Sequence, residues 1–173
     1  MRCGMRAAAL LLSLLLLSSC YADLDWRELK SIEGGFKVLM PARAKETSGP
    51  MGAVAGSATL TLWTAEAAGA VFGAGHADYP GNAAAELAAA RDRLARNVRG
   101  KVTSDRDVRT TNLPGLSGRA LTIEGFAADG SARVVHAQLY ASGRRLYELA
   151  VIAKPGALSA ADLEMFFSSF SPG

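Results

Sequence analysis

His76, Asp78 and His136 are the side chains in this chain best suited to metal or acid-base chemistry. Positions i and i+2 of a strand share a face, so His76 and Asp78 would project together, and His136 from another strand could add a third ligand. Nothing in the spacing obliges the two histidines to meet, and the simpler reading is a pair of partly exposed sheet histidines with no metal. Gly115-Leu116-Ser117-Gly118-Arg119 approximates the G-x-S-x-G turn of serine hydrolases but has Arg119 where the second glycine belongs, so it reads as a turn after Pro114. Gly73-Ala74-Gly75 has Asp78 in place of the third glycine of a dinucleotide loop, and no helix opens directly after it. No catalytic residue and no cofactor is expected.

The two cysteines, Cys3 and Cys20, both precede every patterned segment; they supply neither a disulfide framework nor a four-ligand zinc site. Residues 1–20 read MRCGMRAAALLLSLLLLSSC. Arg2 and Arg6, an apolar run from Ala7 to Leu17 and a small-residue end are the three regions of a secretory leader. As a helix the run spans roughly 16 Å, about half of a ~30 Å hydrocarbon core, which disfavours a permanent membrane span. Leu17-Ser18-Ser19-Cys20 resembles the lipobox of bacterial lipoproteins. The resemblance implies cleavage between Ser19 and Cys20, and diacylglycerol on the Cys20 thiol, whose thiolate is the required nucleophile. It also implies palmitate or a similar acyl chain on the new amino terminus. At ~0.8 kcal/mol per buried methylene, two or three chains anchor firmly where one does so marginally. An ordinary leader with a cysteine at its cleavage site is the alternative. Tyr21, rather than aspartate, follows the cysteine, which by the same resemblance implies the outer membrane, facing the periplasm.

The 173 residues suit one domain, and 50% hydrophobic with 20% charged residues excludes a wholly disordered chain. The formal net charge of +3 includes Arg2 and Arg6; without them, 17 basic side chains face 16 acidic ones, so charge does not point to nucleic acid. A cationic helix flank, Arg91, Arg93, Arg96 and Arg99, suits contact with anionic headgroups and equally suits plain solvation. No aromatic side chains interleave with these arginines, which argues against single-stranded nucleic acid.

The elements that must position these groups follow from periodicity. Phe36, Val38 and Met40 alternate with Lys37 and Leu39 before Pro41, a strand period, while residues 42–56 read as a mobile loop. Ala58 to Ala65 alternates again, and Ala70 to Tyr79 is a third strand in which Gly73 and Gly75 can mark close approach of another element. Asn82 to Gly100 predicts a helix with Asn82 as N-cap, Gly100 at C′, and a stripe of Leu87, Ala90, Leu94, Ala95 and Val98. Strand period returns at Asp105, at Arg119 to Glu124, and in the hairpin Ala132 to Tyr140 with Arg145 to Ile152. A last helix starts at Ser159 with Asp162 at N3, a staple of Leu158 and Leu163, and a stripe of Leu163, Phe166, Phe167 and Phe170. Hairpin links make the sheet mainly antiparallel, with about six to seven strands under two helices: an α+β fold.

Trp26, Glu33-Gly34-Gly35-Phe36-Lys37-Val38-Leu39-Met40-Pro41, Asp78-Tyr79-Pro80, Arg91-Asp92, Pro114-Gly115, Arg145-Leu146-Tyr147-Glu148-Leu149 and Phe167-Ser168-Ser169-Phe170 together resemble small exported bacterial domains of the PsbP-like α/β/α sandwich fold. The resemblance spans nearly all of residues 24–171, through strand starts, turns and a terminal phenylalanine. It implies one domain over 25–173, after a leader at 1–19 and an acylated tether at 20–24, with a reach of about 14–18 Å at full extension. It also implies a non-enzymatic binding or assembly role at the envelope, with the membrane held through Cys20, an envelope protein as partner, and no nucleic acid. An envelope hydrolase is one alternative, requiring a cleft that joins a histidine to a serine. A carrier of an apolar ligand is another, requiring an enclosed cavity between sheet and helices.

Overall fold

The computed structural model describes residues 24–50, 58–108 and 116–173. The expected leader at 1–19, with Ser19, then Cys20 and the turn at 113–115 lie outside the described residues. The elements are β1 (Arg27–Ser31), β2 (Phe36–Met40), β3 (Lys45–Pro50), β4 (Thr59–Ala67), β5 (Ala70–Asp78), a 3-10 turn (Ala83–Glu86), α1 (Leu87–Asn97), β6 (Lys101–Val108), β7 (Ser117–Phe126), β8 (Ala132–Ser142), β9 (Arg145–Ala153), α2 (Ala160–Ser168) and β10 (Ser171–Pro172). Seven strands form one antiparallel sheet in the order β3-β4-β5-β9-β8-β7-β6, and β1, β2 and β10 form a second, small sheet. The fold is α+β, with helices on both faces of the main sheet.

Strand alternation divides that sheet into two unlike faces. One carries Trp63, Phe72, Ala74, Tyr147, Leu149 and Val151, and is covered by the small sheet and by Phe166 and Phe170 at the carboxy-terminal end of the chain. The other carries Leu121, Ile123, Val135, Leu139, Leu146 and Ala150 against Ala90, Leu94 and Val98 of α1 and the turn that follows it. The capping box that opens α2 is formed: the Asp162 amide donates to Ser159 Oγ at 3.1 Å, and the Ser159 amide donates to Asp162 Oδ2 at 3.2 Å.

Four expectations change. The strand over Phe36–Met40 pairs with β1 and β10 in the small sheet and not with the main one. The loop expected over 42–56 contains β3, because β4 supplies ladder partners that raise a Lys-Glu-Thr-Ser-Gly-Pro edge segment above its poor local propensity; residues 51–57 are outside the described set. Asn82 does cap, accepting from the Ala84 amide at 3.0 Å, but what it caps is the 3-10 turn that precedes α1. Gly100 is not the left-handed residue. Arg99 takes that conformation at φ 46°, and the Gly100 amide returns to the Ala95 carbonyl at 2.9 Å, closing a Schellman turn. Glycine is needed at 100 for space, since a Cβ there would stand 2.5 Å from the Glu124 carbonyl oxygen. Close approach also accounts for Gly75, whose Cβ would lie 2.3 Å from the Thr61 carbonyl oxygen.

Phe166 is fully buried and meets Phe72 edge to face at 5.3 Å. Burying such a ring contributes roughly 1.5–3 kcal/mol, and truncation leaves a cavity as well. Phe166→Ala should therefore lower the unfolding free energy by about 3–5 kcal/mol in a urea titration, with the m-value little changed.

Candidate functional site

The main sheet is wider than its covering, and a groove of about 470 Å³ remains between α2 and strands β6 to β8. Its floor is the inward set of three strands: Arg106 and Val108 on β6, Ala120 and Thr122 on β7, and His136, Gln138 and Tyr140 on β8. Its wall is the flank of α2, with Leu163 and Phe167 one turn apart and Phe170 beyond. Periodicity alone assigned Leu163, Phe166, Phe167 and Phe170 to one buried stripe. In the fold, Phe166 and Phe170 enter the core while Leu163 and Phe167 are half-buried at the groove.

Polar groups converge on this floor. The Tyr140 hydroxyl donates to Gln138 Oε1 at 2.6 Å, which leaves the amide NH₂ of Gln138 as its donor. Burial pushes the Tyr140 phenol up to about 12, so it stays protonated. Burial also lowers the pKa of His136, favouring a neutral imidazole. The groove thus offers an apolar wall, neutral donors and acceptors, and two charged side chains, Arg106 and Glu164. The sequence carried a trace of this, because the inward positions of β6 to β8 are more polar than those of β5 and β9. That pattern becomes visible only once the strands are known to be neighbours.

His76 and Asp78 share the groove's face of the sheet but lie at another place. Through β9, His76 pairs across to Tyr147 and His136 to Val151, so the two histidines are two strands and four residues apart, about 16 Å. Among the described residues, no group of three or more His, Cys, Asp or Glu is placed to hold a metal ion. His76 is buried in an aromatic setting, stacked on Trp63 at 6.0 Å and edge-on to Phe36 at 6.3 Å, and its Nδ1 has no hydrogen-bond partner. Asp78 is gripped by Arg145, whose Nε and Nη2 donate to its two carboxylate oxygens at 2.6 Å each. The same guanidinium donates through Nη1 to the Glu33 and Gly34 carbonyls, both at 2.9 Å.

Arg145 therefore ties the β1-β2 turn to the main sheet directly over His76. Gly34 is sterically required in that turn: a Cβ there would lie 2.7 Å from both His76 Nδ1 and Ser31 Oγ. Ser31 is thus a serine near His76, yet it is buried and its Oγ accepts from the Gly34 amide at 2.9 Å, while Asp78 is committed to Arg145. The three do not form a nucleophile, base and orienting acid.

The four helix arginines do not make one free cationic flank. Arg93 reaches down to the buried Glu148, whose carboxyl burial pushes up and Arg93 draws back down. Arg91 bonds Asp92 at 2.9 Å and Asp105 at 3.2 Å. Arg99 donates to the Ala127 carbonyl across the end of the sheet, and Arg96 is exposed.

No family model and no curated protein matches the chain. Solved structures do match it. The solution structure of the cyanobacterial PsbP protein CyanoP from Synechocystis sp. PCC 6803 has a TM-score of 0.57 at 13% identity, covering 91% of this chain and 99% of that one. A crystal structure from Bacteroides thetaiotaomicron has a TM-score of 0.46 at 16% identity, covering 85% of this chain and 48% of that one. A Pseudomonas aeruginosa protein of unknown function follows at 0.36 and 12%, covering 77% and 85% respectively. The first comparison shows a shared fold: the chain adopts a PsbP-like α+β fold.

Both histidines have pKa values lowered from 6.5, His76 by burial and then by Arg145, so the fold favours their neutral forms. Stability is then complete above the unfolded value and is lost as pH falls from 6.5 toward the folded pKa, at up to about 1.4 kcal/mol per pH unit for each group. Urea titrations at pH 7.5 and 5.5 should show this loss, and a smaller loss in His76→Phe; an equal loss in both proteins would remove His76 from the account. The pKa of Asp78 is also lowered, first by its hydrogen bond from Arg145, and its contribution is lost in a separate window below about pH 4.

Proposed function

We propose that the chain is an envelope-anchored lipoprotein, held through lipid on Cys20 at the outer membrane and facing the periplasm, whose domain is a non-catalytic binding or assembly module for another envelope protein. The observation that carries the binding reading is the groove under α2. It combines half-buried Leu163 and Phe167 with Gln138, His136 and Arg106, the composition of a recognition site in which a few polar groups orient a mostly apolar contact. The hydrolase alternative asks for a cleft joining a histidine to a serine; the groove is lined by His136 with Ser104 and Ser168, but among the described residues no hydrogen bond joins either serine to His136, and Ser31, His76 and Asp78 are not linked as a triad. The carrier alternative needs enclosed apolar space, whereas Phe72, Phe166 and Leu149 between sheet and covering are packed to full burial. The likeness to a PsbP protein supports the fold on which such modules are built and adds no partner.

Two measurements test the reading. Radiolabelled palmitate should enter the wild-type protein and be lost from Cys20→Ala; undiminished labelling would end the anchor. A photo-crosslinking amino acid at position 167 should give one discrete adduct in intact cells, and the same group at Val71, outside the groove, should not. Arg106→Glu, at an exposed side chain, should weaken the adduct about tenfold, equivalent to about 1.4 kcal/mol, with the melting temperature unchanged.

A further inference from the structure

The place where the chain enters the domain falls at a chemically distinctive end of the sheet. The Asp25 amide donates to the Pro41 carbonyl at 2.7 Å, and Trp26 lies edge-on to Phe72 at 6.1 Å. Leu24 therefore emerges over the start of β5 and the end of β9, at the same end of the sheet as the β7-β8 turn, whose strands lie two and three positions from β5. That end carries Phe126, a large aromatic left 53% exposed. It stands at a groove of about 510 Å³ lined also by Arg99, Lys101, Arg133 and Pro155, with Lys154 exposed next to the proline. The carboxylates at this end are Glu124, which also lines the groove, Asp129, whose Oδ1 is occupied by Ser131, and, away from the groove, Glu66 at the end of β4 and Asp25, which is paired with Arg27. Immediately around the exposed Phe126 ring, Arg99, Lys101, Arg133 and Lys154 outnumber Glu124 and Asp129. An aromatic residue ringed by Lys and Arg is the composition that seats a protein in the interface of an anionic bilayer.

We propose that this end is a membrane seat: Phe126 enters the headgroup region of an anionic bilayer while Arg99, Lys101, Arg133 and Lys154 face its phosphates. The inference rests on the anchor reading for its geometry, because Cys20 stands only four residues before Leu24, a reach of roughly 13–14 Å that brings this end, and not the β1-β2 turn, to the surface. It moves the cationic contact off the flank of α1, where Arg91 and Arg93 are engaged in ion pairs, to the end of the sheet. Lipid on Cys20 and the seat then act together. The seat fixes the domain's orientation and leaves the groove under α2 facing sideways along the membrane rather than into it.

The test uses the mature chain from residue 20 with Cys20→Ser, so that no lipid is attached, and vesicles of phosphatidylcholine with or without phosphatidylglycerol. Binding is expected only to the anionic vesicles and should fall as salt is raised, since screening shortens the Debye length from about 10 Å at 0.1 M. Phe126→Ser, and separately Lys101→Glu with Arg133→Glu, should each weaken it about tenfold. A spin label at Phe126→Cys should become accessible to lipid-dissolved oxygen, and one at Ile32→Cys, which is 88% exposed at the β1-β2 turn, should remain in water. Equal binding by wild type and Phe126→Ser, equal binding to neutral vesicles, or lipid contact at position 32 would each overturn the seat. So would a concentration-dependent dimer abolished by Phe126→Ser, which would assign the surface to a second copy of the chain. Palmitate labelling undiminished in Cys20→Ala, with vesicle binding as expected, would overturn the anchor and leave the seat standing.

Discussion

A seven-stranded sheet is roughly 30 Å across at about 4.8 Å per strand, while a helix with its side chains is only about 10–12 Å wide. Each face of this sheet has one short helix, α1 of 11 residues or α2 of 9, so neither face can be covered by helix alone. On one face the shortfall is met partly by the small sheet of β1, β2 and β10, which presses Phe36, Val38 and Met40 onto Trp63 and Phe72. What that sheet does not reach, over β6 to β8, stays open as the groove under α2. The recognition surface is thus a consequence of incomplete coverage, and its polarity follows because inward positions that no element covers cannot all be apolar without an exposed hydrophobic patch.

Adding a second sheet creates its own difficulty, since a three-stranded sheet needs attachment to the layer beneath. Arg145 provides it with a geometry suited to a planar guanidinium: two donors to the Asp78 carboxylate and a third nitrogen shared by the carbonyls of Glu33 and Gly34. An exposed ion pair alone is worth little, but the carbonyl bonds add a backbone tie that a lysine could not reproduce. His76 lies beneath this tie, surrounded by Trp63, Phe36 and the Gly34 turn, with one nitrogen lacking a partner. Its neutral form is the one this packing tolerates, which couples the seating of the small sheet to pH.

Much of the local structure was legible because it depends on short-range patterns. Ser159 and Asp162 announce the start of α2, Leu94 and Val98 the buried stripe of α1, and the alternation in Ala132 to Tyr140 and Arg145 to Ile152 the β8-β9 hairpin; each requires only neighbours within a few residues. The failures are where a long-range partner overrode local preference. β3 exists because β4 pairs with it, and β2 leaves the main sheet because β1 and β10 pair with it. Gly100 is required by a carbonyl on β7, more than twenty residues away, and not by the helix end whose local pattern suggested it.

By itself the sequence determined the fold class, the Ser159-Asp162 capping box and the burial of Phe166 and Phe170, since all of these follow from propensity, periodicity and the types of residue in a short window. Only the tertiary structure decided which chemistry is brought together. Placing β5 beside β9 joins Asp78 to Arg145 across 67 residues, and placing β8 beside β7 and β6 gathers His136, Gln138 and Arg106 on one floor. It also separated what the sequence invited one to join, His76 from His136 and the four arginines from one another. The physical reason is that strand order and register are settled by pairings distant in the chain, and a side chain's neighbours in a sheet belong mostly to other strands.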